Sequence, residues 1–167
     1  GKTKPMTNNM GWNWLQGNSR VQGELFGGCI EVMEFMKSTK FWPNDDFWNG
    51  KILFLETSED KPSPEQVKWM LRNYGIQGIF DKISALLIGR ARDYSEDEKK
   101  ELNDNILKIV RDEFGNKDIP IISNMDFGHT DPQWILPLGI KAEIDCHKKE
   151  FKLIEKIFKD YVCPATK

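Results

Sequence analysis

The chain has 167 residues, a length that suits one ordinary domain, and its 24 lysines and arginines nearly balance 26 aspartates and glutamates. Such a balance argues against a nucleic-acid surface, which needs a net basic face, and no apolar run is long enough to span a bilayer. No leading segment has the form of a signal peptide, and Cys29, Cys146 and Cys163 form no CxxC pair, so a reducing cytoplasm is expected and neither a disulfide framework nor a zinc site is indicated.

The first stretch, "GKTKPMTNNMG", is polar and without periodicity. It reads as a linker, so residues 1–22 are taken as an inter-domain linker or loop, residues 23–167 as the folded domain, and the chain as a piece of a longer protein. Within the linker, Met10 to Gly23 reads as a loop with two exposed tryptophans, Trp12 and Trp14. "GELFGGCIEVMEFMKS" then leads through Gly27 and Gly28 into a helix over Ile30 to Lys37, dense enough in apolar side chains to be mostly buried. "KILFLET" (Lys51 to Thr57) is a short apolar run between turn signals, hence a buried strand.

Ser63 and Pro64 open the next helix, as cap and first residue. Val67, Met70, Leu71 and Tyr74 recur at helical spacing, and Gly75 can end it. "KISALLIGR" (Lys82 to Arg90) is a second buried strand. Ser95 and Glu98 form a capping box for a helix carrying Leu102, Ile106, Ile109, Val110 and Phe114, with Gly115 at its end. A third strand covers Ile119 to Asp126, and "LPLGIKAEID" with "EFKLIE" around "CHKK" reads as a hairpin. The alternation of strand and helix predicts an α/β domain with a mostly parallel central sheet. The hairpin adds an antiparallel layer, in the same sheet or in a second one.

Parallel sheets bind ligands at the C-terminal ends of their strands. The three strand ends present Glu56, then Gly89 and Arg90, then Asp126 followed by "FGH" with His129. If these strands are neighbours, Glu56 meets His129, and a carboxylate beside an imidazole fixes its tautomer and stabilises the imidazolium. Arg90 and Asp126 join them as candidate substrate-binding residues. The plain alternative is an ordinary loop histidine and a surface carboxylate. Asp126, His129 and Asp131 can also be read as metal ligands, although three ligands from one tight loop rarely converge. The nucleophile is missing from this constellation. No serine lies in a Gly-x-Ser-x-Gly elbow, and Cys29 reads either as a thiol nucleophile or, more blandly, as a small apolar residue opening a helix.

The succession "GELFGGC", "GKILFLE", "LLIGR", "IPIISNMDFGHTDP" and "LPLGIKAEID" resembles the C-terminal half of the serine LD-carboxypeptidase family, which includes the microcin C self-immunity peptidases. The resemblance runs from about Trp12 onward, and "DFGHTDP" followed by "LPLG" is its most specific part. It implies a swivelling three-layer β/β/α domain that supplies a Glu and a His to a serine on a flavodoxin-like N-terminal domain, with no cofactor and no metal. By this resemblance Glu56 is the orienting carboxylate and His129 the general base. His129 then stands at a strand tip because it must reach across a domain interface.

The resemblance further implies cleavage of an amide next to a C-terminal residue, in a murein tetrapeptide or in the aspartyl–nucleotide amide of a processed antibiotic. Trp12 and Trp14 fall where immunity-type members carry tryptophans that stack on a nucleobase; they can equally pack against the absent domain. Two departures stand out: Cys29 replaces the Asn of many members, and "SEDKPSPEQ" differs in length from some. Because no serine here matches the family nucleophile, the isolated chain is expected to hydrolyse nothing. It is also expected to expose an apolar face and to associate, as a homodimer. The competing reading is a stand-alone binding or regulatory module with the fold and no catalysis, which predicts a natural start near Met6 or Met10.

Overall fold

The computed structural model describes residues 11–157, so the linker reading of residues 1–10, the starts at Met6 and Met10, and Cys163 lie outside the described residues. The chain runs β1 (Asn13–Gln16), β2 (Arg20–Cys29), α1 (Ile30–Met36), β3 (Ile52–Glu56), α2 (Pro64–Ile76), β4 (Ala85–Gly89), α3 (Glu96–Leu107), β5 (Ile121–Met125), β6 (Lys141–Asp145) and β7 (Glu150–Leu153). One curled seven-stranded sheet has the order β1-β5-β4-β3-β2-β6-β7. Its centre, β2 to β5, is parallel, and its flanks β1, β6 and β7 are antiparallel.

Strands β3 and β4 are buried at every position, as expected of parallel strands covered on both faces. Leu53, Leu55, Leu86 and Ile88 face the helices. Ile52, Phe54, Ala85 and Leu87 face a second core with Leu25, Ile122, Ala142 and Ile144. The two cores make a three-layer β/β/α arrangement, in which the antiparallel strands cover the face that the helices leave free. The predicted capping box of Ser95 and Glu98 forms on α3, and the predicted Ser63 cap on α2 turns out to be a box as well, closed by Gln66. A π-type segment, Lys108–Glu113, continues α3 and keeps Ile109 and Val110 buried beneath it.

Three expectations are corrected. The segment Met10 to Gly23 is not a loop throughout: it carries β1 and the start of β2, and the "GELFGG" run is extended strand up to Cys29. Glycine and polar residues mask the strand signal there, because β2 pairs on both edges and takes its order from its partners. Its first half, Arg20 to Glu24, is antiparallel to β6, and its second half, Leu25 to Cys29, is parallel to β3. The same strand joins both layers, so there is one continuous sheet and not two. Trp12 and Trp14 are half-buried against the second core and not exposed. Finally, α1 is amphipathic: Ile30 and Met33 are buried, whereas Val32 and Phe35 lie in solvent, with Phe35 80% exposed.

Candidate active site

Strand order explains how Glu56 and His129 meet. They leave β3 and the loop after β5, and β4 lies between those strands. At the end of β4 stands Gly89, where a Cβ would fall 2.9 Å from the Glu56 Cβ and 2.6 Å from the Phe127 carbonyl oxygen. The missing side chain opens the passage across the intervening strand. Gly128 has φ +92°, and a Cβ there would lie 2.6 Å from Glu56 Oε2, so the residue before His129 must also be glycine for the pair to close.

Glu56 Oε2 lies 2.8 Å from His129 Nδ1 and accepts the His129 backbone N–H at 3.2 Å. The Glu56 side chain is 10% exposed and the imidazole 38%, so the carboxylate is sheltered while the ring opens to a cleft of about 460 Å³ lined by Arg92, Gly128, Thr130, Asp131 and Gln133. An ionised carboxylate only accepts hydrogen bonds, so Nδ1 carries the proton on that side. The hydrogen bond His129 makes to Glu56 raises the His129 pKa above its ordinary value against a smaller desolvation effect, with the charges of Glu56, Glu59 and Glu31 adding to the rise. On the far side of the ring, Nε2 sits 2.9 Å from Glu59 Oε2. Sequence reasoning missed Glu59, whose only signal was a second acid on the turn after the strand.

The turn bearing Glu59 is fastened at both ends. Ser58 donates from its backbone N–H (3.1 Å) and hydroxyl (2.7 Å) to Glu31 Oε1 at the start of α1, and Lys61 pairs with Glu98 Oε1 at 2.9 Å.

The other predicted site residues form a separate group under the His129 loop. Arg90, 5% exposed, pairs with Asp126 Oδ1 at 3.0 Å and donates to the Pro132 carbonyl at 3.3 Å. Trp12 Nε1 donates to Asp126 Oδ2 at 3.0 Å. Arg90 thus links the end of β4 to the loop, and Trp12 ties the edge next to β1 into the same carboxylate. Trp14, on β1, packs on the second core apart from this group. Arg90 also lines a side of the cleft that includes Arg92, Lys99, His129 and Asp131.

Two alternatives lose ground. Among the described residues no three His, Cys, Asp or Glu side chains converge to hold a metal ion, and Asp126 is turned into its contacts with Arg90 and Trp12. Burial pushes the Cys29 thiol up to about 11, with Glu31 and Glu56 adding to the rise, so its reactive thiolate is scarce at neutral pH. No helix among the described residues is long and apolar enough to cross a membrane.

The chain is thus a curled β/β/α domain with a Glu–His pair at the mouth of its parallel strands. The chain belongs to the LD-carboxypeptidase family, matching its C-terminal domain over residues 22–144. It is 29% identical over 140 residues to the microcin C7 self-immunity protein MccF of Escherichia coli, covering 84% of this chain and 39% of that protein. An MccF-like protein of Streptococcus pneumoniae, solved in complex with AMP, superposes with TM-score 0.75 at 33% identity over 89% of this chain and 46% of that one. A muramoyltetrapeptide carboxypeptidase of Oxalobacter formigenes superposes with TM-score 0.64 at 26% identity, covering 84% and 47%. The chain therefore spans less than half the length of the curated relatives it matches.

Proposed function

We propose that this chain is the base-supplying half of a serine-type LD-carboxypeptidase. Glu56 orients His129, and His129 Nε2 takes the proton of a serine hydroxyl contributed from outside these residues as that oxygen attacks the amide carbonyl. The imidazolium so formed is stabilised by Glu56 and returns its proton to the leaving amine; water then repeats the cycle on the acyl-enzyme. The observation that carries this reading is the Glu56–His129 contact at 2.8 Å with the rest of the ring turned into a cleft. Within the described residues the partner of Nε2 is a carboxylate and not a hydroxyl, so the 167 residues by themselves are expected to hydrolyse nothing.

The substrate class is an amide at a C-terminal residue. One relative is named for a muramoyltetrapeptide, and another was solved with AMP. Trp12 and Trp14, both half-buried against the second core and Trp12 bonded to Asp126, do not choose between these two substrates. Arg90 and Asp126 serve the substrate by holding the floor of the loop. The exposed Phe35 lies one turn beyond Glu31 on α1, on the side of the helix that reaches the site, and fits a face covered by the serine-bearing half.

The test is turnover in the complete protein. His129→Ala and Glu56→Gln are each expected to lower kcat/KM by about 10³-fold or more. Rates within tenfold of the unaltered protein in both variants would sink the assignment and leave a binding module as the better account.

A further inference from the structure

The geometry points to Glu59 as a positioning residue for His129: a displaceable carboxylate that occupies the Nε2 face of the ring until a hydroxyl takes its place. The inference rests on the reading of His129 as general base. Both ring nitrogens face carboxylate oxygens, Nδ1 at 2.8 Å and Nε2 at 2.9 Å. Since ionised carboxylates only accept, a ring satisfied on both sides carries two protons and is an imidazolium. In that state it cannot accept a proton from a nucleophile.

Engagement therefore requires two events. The Nε2 proton leaves, to Glu59 or to water, and the Glu59 side chain moves aside so that a hydroxyl can donate to the vacated lone pair. Glu59 is suited to both. Its side chain is 60% exposed and free to rotate into solvent, while the turn beneath it is held by Ser58 on Glu31 and Lys61 on Glu98. The carboxylate is thus delivered to one place without being locked there. Until the nucleophile arrives, it also keeps the ring in the rotamer that Glu56 requires.

Other charges face the ring from each neighbouring element. Glu56 comes from the end of β3, Glu31 from α1, Arg92 and Asp93 from the loop after β4, Lys99 from α3, and Asp131 from its own loop. The Glu59 contribution has to be isolated against that background by substitution.

The experiment has two arms. In the 167-residue chain, the His129 ring proton is titrated by NMR in the unaltered protein and in Glu59→Gln, with His147 in the β6–β7 hairpin as internal control. The expected result is a His129 midpoint at lower pH in the variant, a difference that shrinks at high salt because the pair is exposed, and an unmoved His147 curve. An unchanged His129 midpoint overturns the role of Glu59. In the complete protein, Glu59→Gln should move the acidic limb of kcat/KM to lower pH and raise the value on that limb by about two- to fivefold; an unmoved limb also overturns it. The base assignment fails separately, if His129→Ala keeps its turnover, whereas an inactive His129→Ala with an unshifted Glu59→Gln rejects Glu59 alone.

Discussion

Glu56 holds His129 twice, through the ring Nδ1 and through the backbone N–H, so the carboxylate fixes both the side chain and the peptide that carries it. Its hydrogen bond raises the folded-state pKa of His129, and the sign of the linked stability follows. The pairing contributes in full below the unfolded histidine value of about 6.5 and is lost as pH rises through the higher folded value. The denaturation midpoints of the native chain and Glu56→Gln should accordingly differ most in mild acid and converge in alkali. Tyr74 makes the opposite kind of prediction. Its ring is fully buried in the helix-side core, its hydroxyl has no hydrogen-bond partner among the described residues, and desolvation drives its pKa upward. Tyr74→Phe should be neutral or stabilise the fold by about 1 kcal/mol in urea denaturation, because an unsatisfied buried hydroxyl is removed. At this scale the sequence showed Glu56 and His129 through their places at strand ends. It could not show Glu59, since a turn residue reveals its direction only when the turn is folded. Nor did it show that Arg90 and Asp126 spend their charges on each other.

The elements were legible wherever local chemistry decides them. Ser63-Pro64 and Ser95-x-x-Glu98 announce helix starts; the Ser95 box closes as read, and the Ser63 cap gains a box partner in Gln66. Ser63→Ala and Ser95→Ala should each cost about 1 kcal/mol in unfolding free energy. Strands β3, β4 and β5 were visible as apolar runs, trimmed by a few residues at their ends. Strands β1 and β2 were not, because "NWLQ" is too short to show a period and β2 is broken up by glycines whose merit is their lack of a side chain. The loop after β5 depends on the same property. Gly128→Ala would place a methyl against Glu56 Oε2 at a positive φ, so the variant should move the His129 titration back toward its ordinary value while the far-UV spectrum stays unchanged.

Across the whole molecule, the curl of the sheet brings its two edges together. Trp12, next to β1, meets Phe151 of β7 at a centroid distance of 6.5 Å, and Trp134 fills the seam at 5.0 Å from Trp12 and 6.3 Å from Phe151. A double-mutant cycle on Trp12 and Phe151 should show coupling of about 0.5–1.5 kcal/mol, the range of an aromatic pair beyond its buried area. Additive effects would mean that the edges are held independently. The three-layer class followed from the family resemblance, while the closure of the edges did not, since it depends on contacts between residues more than 130 positions apart.

Strand β2 completes its parallel half with β3, some twenty residues downstream, but its antiparallel half waits for β6, about 120 residues further along. On a ribosome this leaves the N-terminal half of β2 with an open edge, and the second core without its cover, until β6 has emerged. Long-range pairing of this kind slows folding and exposes strand edges to wrong partners. The wait for β6 and β7, which follow all the parallel strands, is thus the step at which a nascent chain is most exposed to aggregation, and a chaperone that shields β2 until β6 appears would act at that point.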